Sequence, residues 1–225
     1  MKKLVIFDLD GTLLNTIADL AAASNHALER AGYPIHAPEA YPYYVGNGVR
    51  RLIERVLPEE ARTPEEITRV LGYFTEYYGE HLHVYTQPYP GIPELLEELR
   101  SNDIDIAVAS NKYQAAVGKL IDHFFGHLRW SAIEGQKEGV PVKPDPSIVF
   151  EILSQSPTPK CRVLYVGDSG VDMTTARRAG VTSVGVTWGF RPEKELRDNY
   201  ADHIATRPDR ILALALELKA GEELS

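Results

Sequence analysis

Apolar residues follow two patterns that alternate along the chain. Short, mostly apolar runs predict strands at residues 4–7, 104–109, 130–133, 163–166 and 182–186. Between these runs, apolar residues recur every three or four positions, which predicts helices at residues 92–99, 113–125, 146–153 and 171–179. Strands that alternate with helices are typical of an α/β fold built on a doubly wound parallel sheet.

The stretch after the first strand differs from the rest, because it is helical in pattern and carries no strand signal. Three helical stripes cover it, and the last opens with Thr63 as an N-cap and Pro64 in the first helical position. We therefore expect residues 16–82 to form a helical cap domain, inserted into a core made of residues 1–15 and 83–225.

Composition is that of an ordinary globular protein of 225 residues, with 44% apolar and 25% charged residues. The net charge of −8, without any basic run, argues against nucleic acid as a partner. No apolar segment is as long as a membrane span, and the run after Lys3 is too short for a signal peptide. We expect a cytoplasmic protein without a membrane partner. The single cysteine, Cys161, precedes an apolar run, which predicts a buried and inert thiol.

Two carboxylates follow the first predicted strand directly. Residues i and i+2 of an extended chain point to the same side, so Asp8 and Asp10 can face one site, and Gly11 lets the chain turn away. Carboxylates this close repel each other unless a cation lies between them, and Mg²⁺ is the usual one. The alternative is that Asp10 and Gly11 only form a turn after a strand.

Polar side chains also follow the other predicted strands, where ligands bind in open parallel sheets. Ser110 and Asn111 follow the strand at 104–109, Asp168 and Asp172 follow the strand at 163–166, and Lys143 precedes a helix. Each has another reading when taken alone. Ser110, Asp168 and Asp172 could cap helices, and Lys143 could be an ordinary surface lysine. Their common location at one sheet edge favours a shared site.

Phosphoryl transfer is the reaction for which these residues form a complementary set. Asp8 can attack phosphorus as a carboxylate nucleophile, and Asp10 can protonate the leaving oxygen and later activate water. Ser110, Asn111 and Lys143 are expected to bind the phosphoryl oxygens.

The same reading requires a divalent cation. We expect Asp8, Asp10 and Asp168 to be the ligands of a Mg²⁺ ion, with positions left open for a phosphate oxygen and water. Asp172, four residues after Asp168, is expected to support that site without binding the ion directly.

The ordered motifs Asp-x-Asp-Gly-Thr-Leu, Ser-Asn-Lys, Lys-Pro-Asp-Pro and Gly-Asp-Ser-x-x-x-Asp resemble the four motifs of the haloacid dehalogenase superfamily. The helical insertion resembles its C1 cap, and residues 201–204 are similar to its last strand region. In having Thr12, the motif resembles that of the phosphatases of the superfamily and not that of its sugar-phosphate mutases, which usually have valine there. Leu20 stands where the β-phosphoglucomutases have a histidine. Residues 13–49 lack the lysine of the phosphonate hydrolases. The Val-Gly-Asn-Gly-Val sequence of the insertion is most similar to phosphoglycolate phosphatases.

The resemblance implies a Rossmann-like core with an inserted α-helical cap, and a magnesium-dependent phosphatase that works through an aspartyl-phosphate. Its partner would be a small phosphorylated metabolite such as 2-phosphoglycolate, and the protein would be a monomer or homodimer. The alternatives are a pyrophosphatase or nucleotidase of the same fold, or a phosphate-binding protein without turnover.

Selection of the substrate is expected to come from the glycine-containing turn of the insertion. In the Gly46-Asn47-Gly48 turn the two glycines permit a close backbone approach to a small ligand, and the amides of the helix that begins at Val49 could meet a carboxylate. Arg50 or Arg51 could pair with that carboxylate. The alternative is a structural turn followed by two solvated arginines.

Overall fold

The structure, a computed structural model, describes residues 2–218. Within that range it contains these strands: β1 (Lys3–Phe7), β2 (Leu14–Asn15), β3 (Gln87–Pro88), β4 (Ile104–Tyr113), β5 (Ala132–Gln136), β6 (Val163–Gly167), β7 (Thr182–Val186) and β8 (His203–Ala205). Six of these strands form one sheet in the order β5-β4-β1-β6-β7-β8, and every neighbouring pair is parallel. This sheet confirms the predicted doubly wound α/β fold.

The strand order gives the sheet a switch point at β1, because the chain continues to β4 on one side and to β6 on the other. Phe7, the last residue of β1, lies beside Val108 of β4 and Val166 of β6. The carboxyl ends of three central strands therefore meet at one edge. Ligands of such sheets bind at this point.

Helices cover both faces of the sheet and fill the insertion. Their bounds are α1 (Ile17–Ala31), α2 (Tyr41–Tyr44), α3 (Val49–Val56), α4 (Pro64–Glu80), α5 (Ile92–Ser101), α6 (Gln114–Phe125), α7 (Ser147–Gln155), α8 (Gly170–Ala179), α9 (Glu193–Asp198) and α10 (Asp209–Glu217). Among the described residues, no helix has the length and apolar character needed to cross a membrane.

Helices α1 to α4 follow β1 without any strand of the main sheet between them, and we refer to residues 17–80 as the cap. Helix α1 ends at Gly32, which has a left-handed backbone, and α4 begins at Thr63, whose hydroxyl accepts a hydrogen bond from the Glu66 amide. The chain enters the cap through β2 and leaves it through β3, and these two strands pair in antiparallel fashion.

Four details differ from the sequence prediction. Strand β4 runs to Tyr113, with a register shift after Ala109, so Ser110 and Asn111 lie in its irregular end. Strand β5 lies two residues later than expected, and α7 begins at Ser147 instead of 146. Cys161 is exposed, so the prediction of a buried thiol is wrong. It lies in a 3₁₀ turn, one turn before β6 enters the sheet.

Candidate active site

The centre of the site is an ion pair between the end of β1 and the loop before α7. Lys143 Nζ lies 2.9 Å from Asp8 Oδ1, and it also donates a hydrogen bond to the Ala109 carbonyl at 2.9 Å. The Asp8 backbone N–H donates to the Val166 carbonyl, which continues the sheet hydrogen bonding through this residue. The sheet thus fixes Asp8, and β4 helps to fix the lysine beside it.

Asp168, which follows β6, approaches the chain closely on the other side of Asp8. Gly11 has a φ of 85°, and a Cβ there would lie 2.3 Å from Asp168 Oδ2. A Cβ at Gly189 would lie 2.3 Å from the Asp168 Cβ. Both glycines therefore make room for this carboxylate. The Phe190 backbone N–H donates to Asp168 Oδ2 at 2.6 Å and fixes its orientation.

Asp172 lies in the first turn of α8, and its carboxylate binds two neighbouring residues. One oxygen accepts hydrogen bonds from the Ser169 hydroxyl at 2.6 Å and from the Ser169 backbone N–H at 3.2 Å, as part of a capping box. The other oxygen lies 2.8 Å from Lys143 Nζ. Asp172 therefore caps α8, and its contact with Lys143 places it beside the residues predicted for the site.

Burial and charge together shift the protonation of this group. Burial, reinforced by Asp172, outweighs the Lys143 ammonium and raises the pKa of Asp8 to about 7. Burial, with the negative charges of Asp172 and Asp8, raises the pKa of Asp168 well above its usual range. Although burial alone would lower it, the pKa of Lys143 is raised well above its ordinary value by Asp172 and Asp8. The lysine stays charged, and Asp8 and Asp168 take up protons more readily than ordinary carboxyl groups.

The three acids are placed to share a cation. Single oxygens of Asp8, Asp168 and Asp172 all lie within 4.8 Å of one another, and all three residues are buried. An oxygen-only donor set with excess negative charge fits a hard divalent cation. The Asp10 carboxylate is outside this group, so its predicted role as a side-chain metal ligand is not supported by this placement.

Asp10 has a different partner, Lys112, from the irregular end of β4. Lys112 Nζ lies 3.0 Å from each of the two oxygens of Asp10. It also lies 4.9 Å from the centroid of the Tyr78 ring, which comes from α4 of the cap. Although burial opposes it, Asp10 and Tyr78 raise the pKa of Lys112 above its usual range. The second acid of the motif is therefore held by a charged lysine beside the cap.

Ser110 and Asn111, which precede Lys112, differ in what their side chains contact. Ser110 is buried and lines the pocket, as predicted for a phosphate-binding hydroxyl. The Asn111 side chain accepts a hydrogen bond from the Lys143 backbone N–H at 2.8 Å and donates one to the Lys143 carbonyl at 3.1 Å. It also contacts the Gly46 carbonyl at 3.3 Å. Asn111 therefore positions Lys143, and its side-chain contacts do not support a direct role in binding phosphate.

The predicted substrate-binding arginines lie on the outer face of α3. Arg50 contacts the Thr68 hydroxyl, and Arg51 pairs with Glu54 at 2.5 Å. Neither one lines the pocket, so this placement does not support their predicted contact with substrate. The Asn47 side chain accepts a hydrogen bond from Arg55 and also stays outside, whereas Gly48 does line the pocket.

The pocket encloses about 50 Å³ between the sheet edge and the cap. Three groups that line or frame it were missed in the sequence: Lys112, Tyr78 and the Phe190–Arg191 pair. Lys112 was visible as the last residue of the Ser-Asn-Lys motif. Tyr78 and Arg191 had no local signal, because tertiary packing alone brings them to the pocket.

The sequence model of the haloacid dehalogenase-like hydrolases matches residues 5–186 of this chain. The match includes every motif residue described above and more than half of the chain. The chain therefore belongs to the haloacid dehalogenase-like hydrolase family.

Curated relatives narrow the class further. The chain is 34% identical to a phosphoglycolate phosphatase of Aquifex aeolicus (strain VF5), over 94% of this chain and 96% of the relative. It is 35% identical to one of Pseudomonas putida, over 84% of this chain and 71% of that relative. A solved structure of a candidate phosphoglycolate phosphatase from Lactobacillus delbrueckii has a TM-score of 0.89 at 32% identity, and covers 96% of this chain and 99% of its own. The protein is accordingly a phosphatase of small phosphomonoesters.

Proposed function

We propose that this protein is a Mg²⁺-dependent phosphatase that converts 2-phosphoglycolate to glycolate and inorganic phosphate. The observation that carries the proposal is that Asp8 pairs with Lys143 and lies close to the carboxylates of Asp168 and Asp172. That arrangement combines a nucleophile, a fixed positive charge and an oxygen-only cation site at one sheet edge. We further propose that it acts in the cytoplasm as a monomer or homodimer.

The reaction would proceed in two halves on this chain's own residues. An oxygen of Asp8 attacks phosphorus, the bond from phosphorus to the leaving oxygen breaks, and Asp10 gives that oxygen a proton. In the second half Asp10 takes a proton from water, the water oxygen attacks phosphorus, and inorganic phosphate leaves the Asp8 carboxylate. Lys143 provides positive charge to the phosphoryl oxygens throughout.

The cation has one supporting role in this scheme. A Mg²⁺ ion held by Asp8 and Asp168 would supply further positive charge for the phosphoryl oxygens. Asp172, which is already bound to Lys143 and Ser169, would keep both the lysine and the acidic group in position.

The size of the pocket supports a small leaving group. About 50 Å³ corresponds to a few water molecules, at roughly 10–15 Å³ each on this measure. This enclosed space favours a small leaving group over a nucleoside, which would have to extend out of the pocket.

The test is release of inorganic phosphate from 2-phosphoglycolate by the purified protein with MgCl₂, and again after EDTA treatment. Asp8→Asn is nearly isosteric and should lower kcat by about 10³-fold or more. The matched control is Asp122→Asn on the exposed side of α6, which should retain full activity. Activity that is resistant to EDTA, or near-normal turnover by Asp8→Asn, would refute the proposed mechanism.

A further inference from the structure

The pocket has two ends with different chemistry. The end at the sheet carries the acids and Lys143, which face the phosphoryl group in the proposed reaction. The opposite end is formed by the cap, and its lining residues are Leu20, Val45, Gly46, Gly48, Val49, Leu52, Phe74 and Tyr78. Tyr78 has the only polar side chain in that set. The cap thus contributes one hydroxyl to an otherwise apolar wall.

The Tyr78 hydroxyl is buried with its hydrogen unpaired. The residue is 1% exposed, the Lys112 ammonium lies beside its hydroxyl oxygen, and no acceptor among residues 2–218 receives the hydroxyl hydrogen. The nearest charged group is the Lys112 ammonium beside the ring, and an ammonium has no acceptor to offer. The hydroxyl hydrogen therefore needs an acceptor that this part of the chain does not supply. Leaving such a group unpaired costs free energy, which an acceptor on the substrate would recover.

The position of this hydroxyl relates it to the leaving group. Asp10 must reach the leaving oxygen in order to protonate it, and Lys112 binds both oxygens of Asp10. Tyr78 lies on the cap side of Lys112. The atoms attached to the leaving oxygen would therefore lie near Lys112 and Tyr78.

The other cations that line the pocket are already engaged. Lys143 pairs with Asp8 and Asp172, and Arg191 donates to the carbonyls of Pro42 and Val45. Lys112 has three N–H groups and uses two of them on the oxygens of Asp10. The third lies beside the Tyr78 hydroxyl, whose oxygen can accept from it and whose hydrogen is left for the substrate.

We propose that Lys112 and Tyr78 form a subsite for a carboxylate on the leaving group, and that Tyr78 is a specificity-determining residue. A carboxylate has only acceptor sites, so it complements the unpaired hydroxyl hydrogen of Tyr78 and the positive charge of the Lys112 ammonium. The apolar wall around it accommodates a carbon chain but no further polar group. This inference rests on the proposed function and identifies which residues would recognise the carboxylate of 2-phosphoglycolate.

The experiment compares 2-phosphoglycolate with ethyl phosphate, which has the same chain length and no carboxylate. Tyr78→Phe removes only the hydroxyl. A hydrogen bond to a charged group corresponds to a loss of about tenfold to a hundredfold when one partner is removed. We expect that loss in kcat/KM for 2-phosphoglycolate, with little change for ethyl phosphate. Because the hydroxyl hydrogen has no acceptor among residues 2–218 of the free protein, Tyr78→Phe should have a Tm no lower than the parent protein.

The matched control is Tyr77→Phe, the adjacent position of α4, whose ring stacks on His26 and His81 and does not line the pocket. It should leave the ratio of the two kcat/KM values unchanged. If the parent enzyme prefers 2-phosphoglycolate and Tyr78→Phe keeps that preference, the subsite is refuted while the proposed function stands. If the parent enzyme hydrolyses both substrates equally, the subsite and the proposed substrate are both refuted, and only the phosphatase class remains.

Discussion

At the scale of single residues, the site is a balance between buried acids and two buried lysines. Asp8, Asp168 and Asp172 surround Lys143, and Asp10 faces Lys112. Four carboxylates against two ammonium groups leave a formal excess of two negative charges. Proteins relieve such an excess by taking up protons or by binding cations. The raised pKa values of Asp8 and Asp168 show the first of these in the ion-free protein.

This competition predicts a pH dependence of magnesium binding. The pKa of Asp8 is raised to about 7, so the ion-free folded protein holds a proton there below that pH. A cation must displace this proton, so the apparent affinity for Mg²⁺ should fall as pH falls below about 7, approaching about tenfold per pH unit for one proton. Calorimetric titration with MgCl₂ from pH 5.5 to 8.5 measures it.

The stability of the ion-free protein should change with pH in the opposite direction. The pKa of Asp8 is raised from 3.8 to about 7, so its contribution to stability is fully present below about pH 3.8 and is lost progressively as pH rises from there through 7. Asp8→Asn lacks the titrating group, so its magnesium affinity should depend less steeply on pH. An affinity that is constant across pH 7 in the parent protein would contradict the assignment of Asp8.

Several site residues could be predicted because sequence position alone determines where they lie. Asp8 and Asp168 follow strands of a parallel sheet, Ser110 lies in the irregular end of another, and such strands end at one edge. Lys112 and Tyr78 could not be paired in this way. They come from a strand and a cap helix 34 positions apart in the sequence, and only the position of the cap over the sheet brings them together.

At the scale of elements, α3 explains why Arg50 and Arg51 lie away from the pocket. Its buried residues, Leu52, Ile53 and Val56, define the face that packs inward. Arg50 and Arg51 precede that stripe on the opposite side of the helix and remain exposed. The 3.6-residue period of α3 thus predicts that both arginines face away from the buried side of the helix. The glycine-rich turn before the helix suggested a binding site, but the helix period directs the two arginine side chains away from it.

Helix α4 carries Tyr78 near its C-terminal end and is stabilised at its N-terminal end by the capping residue Thr63. The Thr63 hydroxyl accepts from the Glu66 amide at 3.2 Å. Thr63→Ala should therefore reduce the free energy of unfolding by about 1 kcal/mol, measured by urea denaturation. Thr75→Ala is the control, because Thr75 is exposed within the same helix and bonds only to the Leu71 carbonyl. Equal destabilisation by both variants would contradict the capping role.

At the scale of the whole molecule, one loop of the core connects the cation site to the cap. The Phe190 amide binds Asp168, and the next residue, Arg191, donates to the Pro42 and Val45 carbonyls of the cap. The Asn111 side chain makes a further contact, to the Gly46 carbonyl. These hydrogen bonds hold the turn at 46–48 over the pocket.

Arg191 should therefore affect the binding of substrate more than the rate of the chemical step. Arg191→Gln removes the charged donors to two cap carbonyls, and hydrogen bonds of charged groups contribute roughly 1.5–3 kcal/mol. We expect KM for 2-phosphoglycolate to rise about tenfold, with a smaller change in kcat. Steady-state kinetics measure both constants. Arg197→Gln, which removes only an exposed pair with Glu193, should have neither effect, and an unchanged KM in Arg191→Gln would refute the role of this contact.

The paired strands β2 and β3 attach the cap to the core. Both chain connections run side by side there, Leu14 opposite Pro88 and Asn15 opposite Gln87, and the Asp19 carboxylate binds the amides of residues 85 and 86. Two adjacent, hydrogen-bonded attachments restrict the position of the cap over the sheet more than a single unpaired linker would. The proposed recognition by one hydroxyl depends on that restriction, because a displacement of one ångström would take the donor out of hydrogen-bonding range.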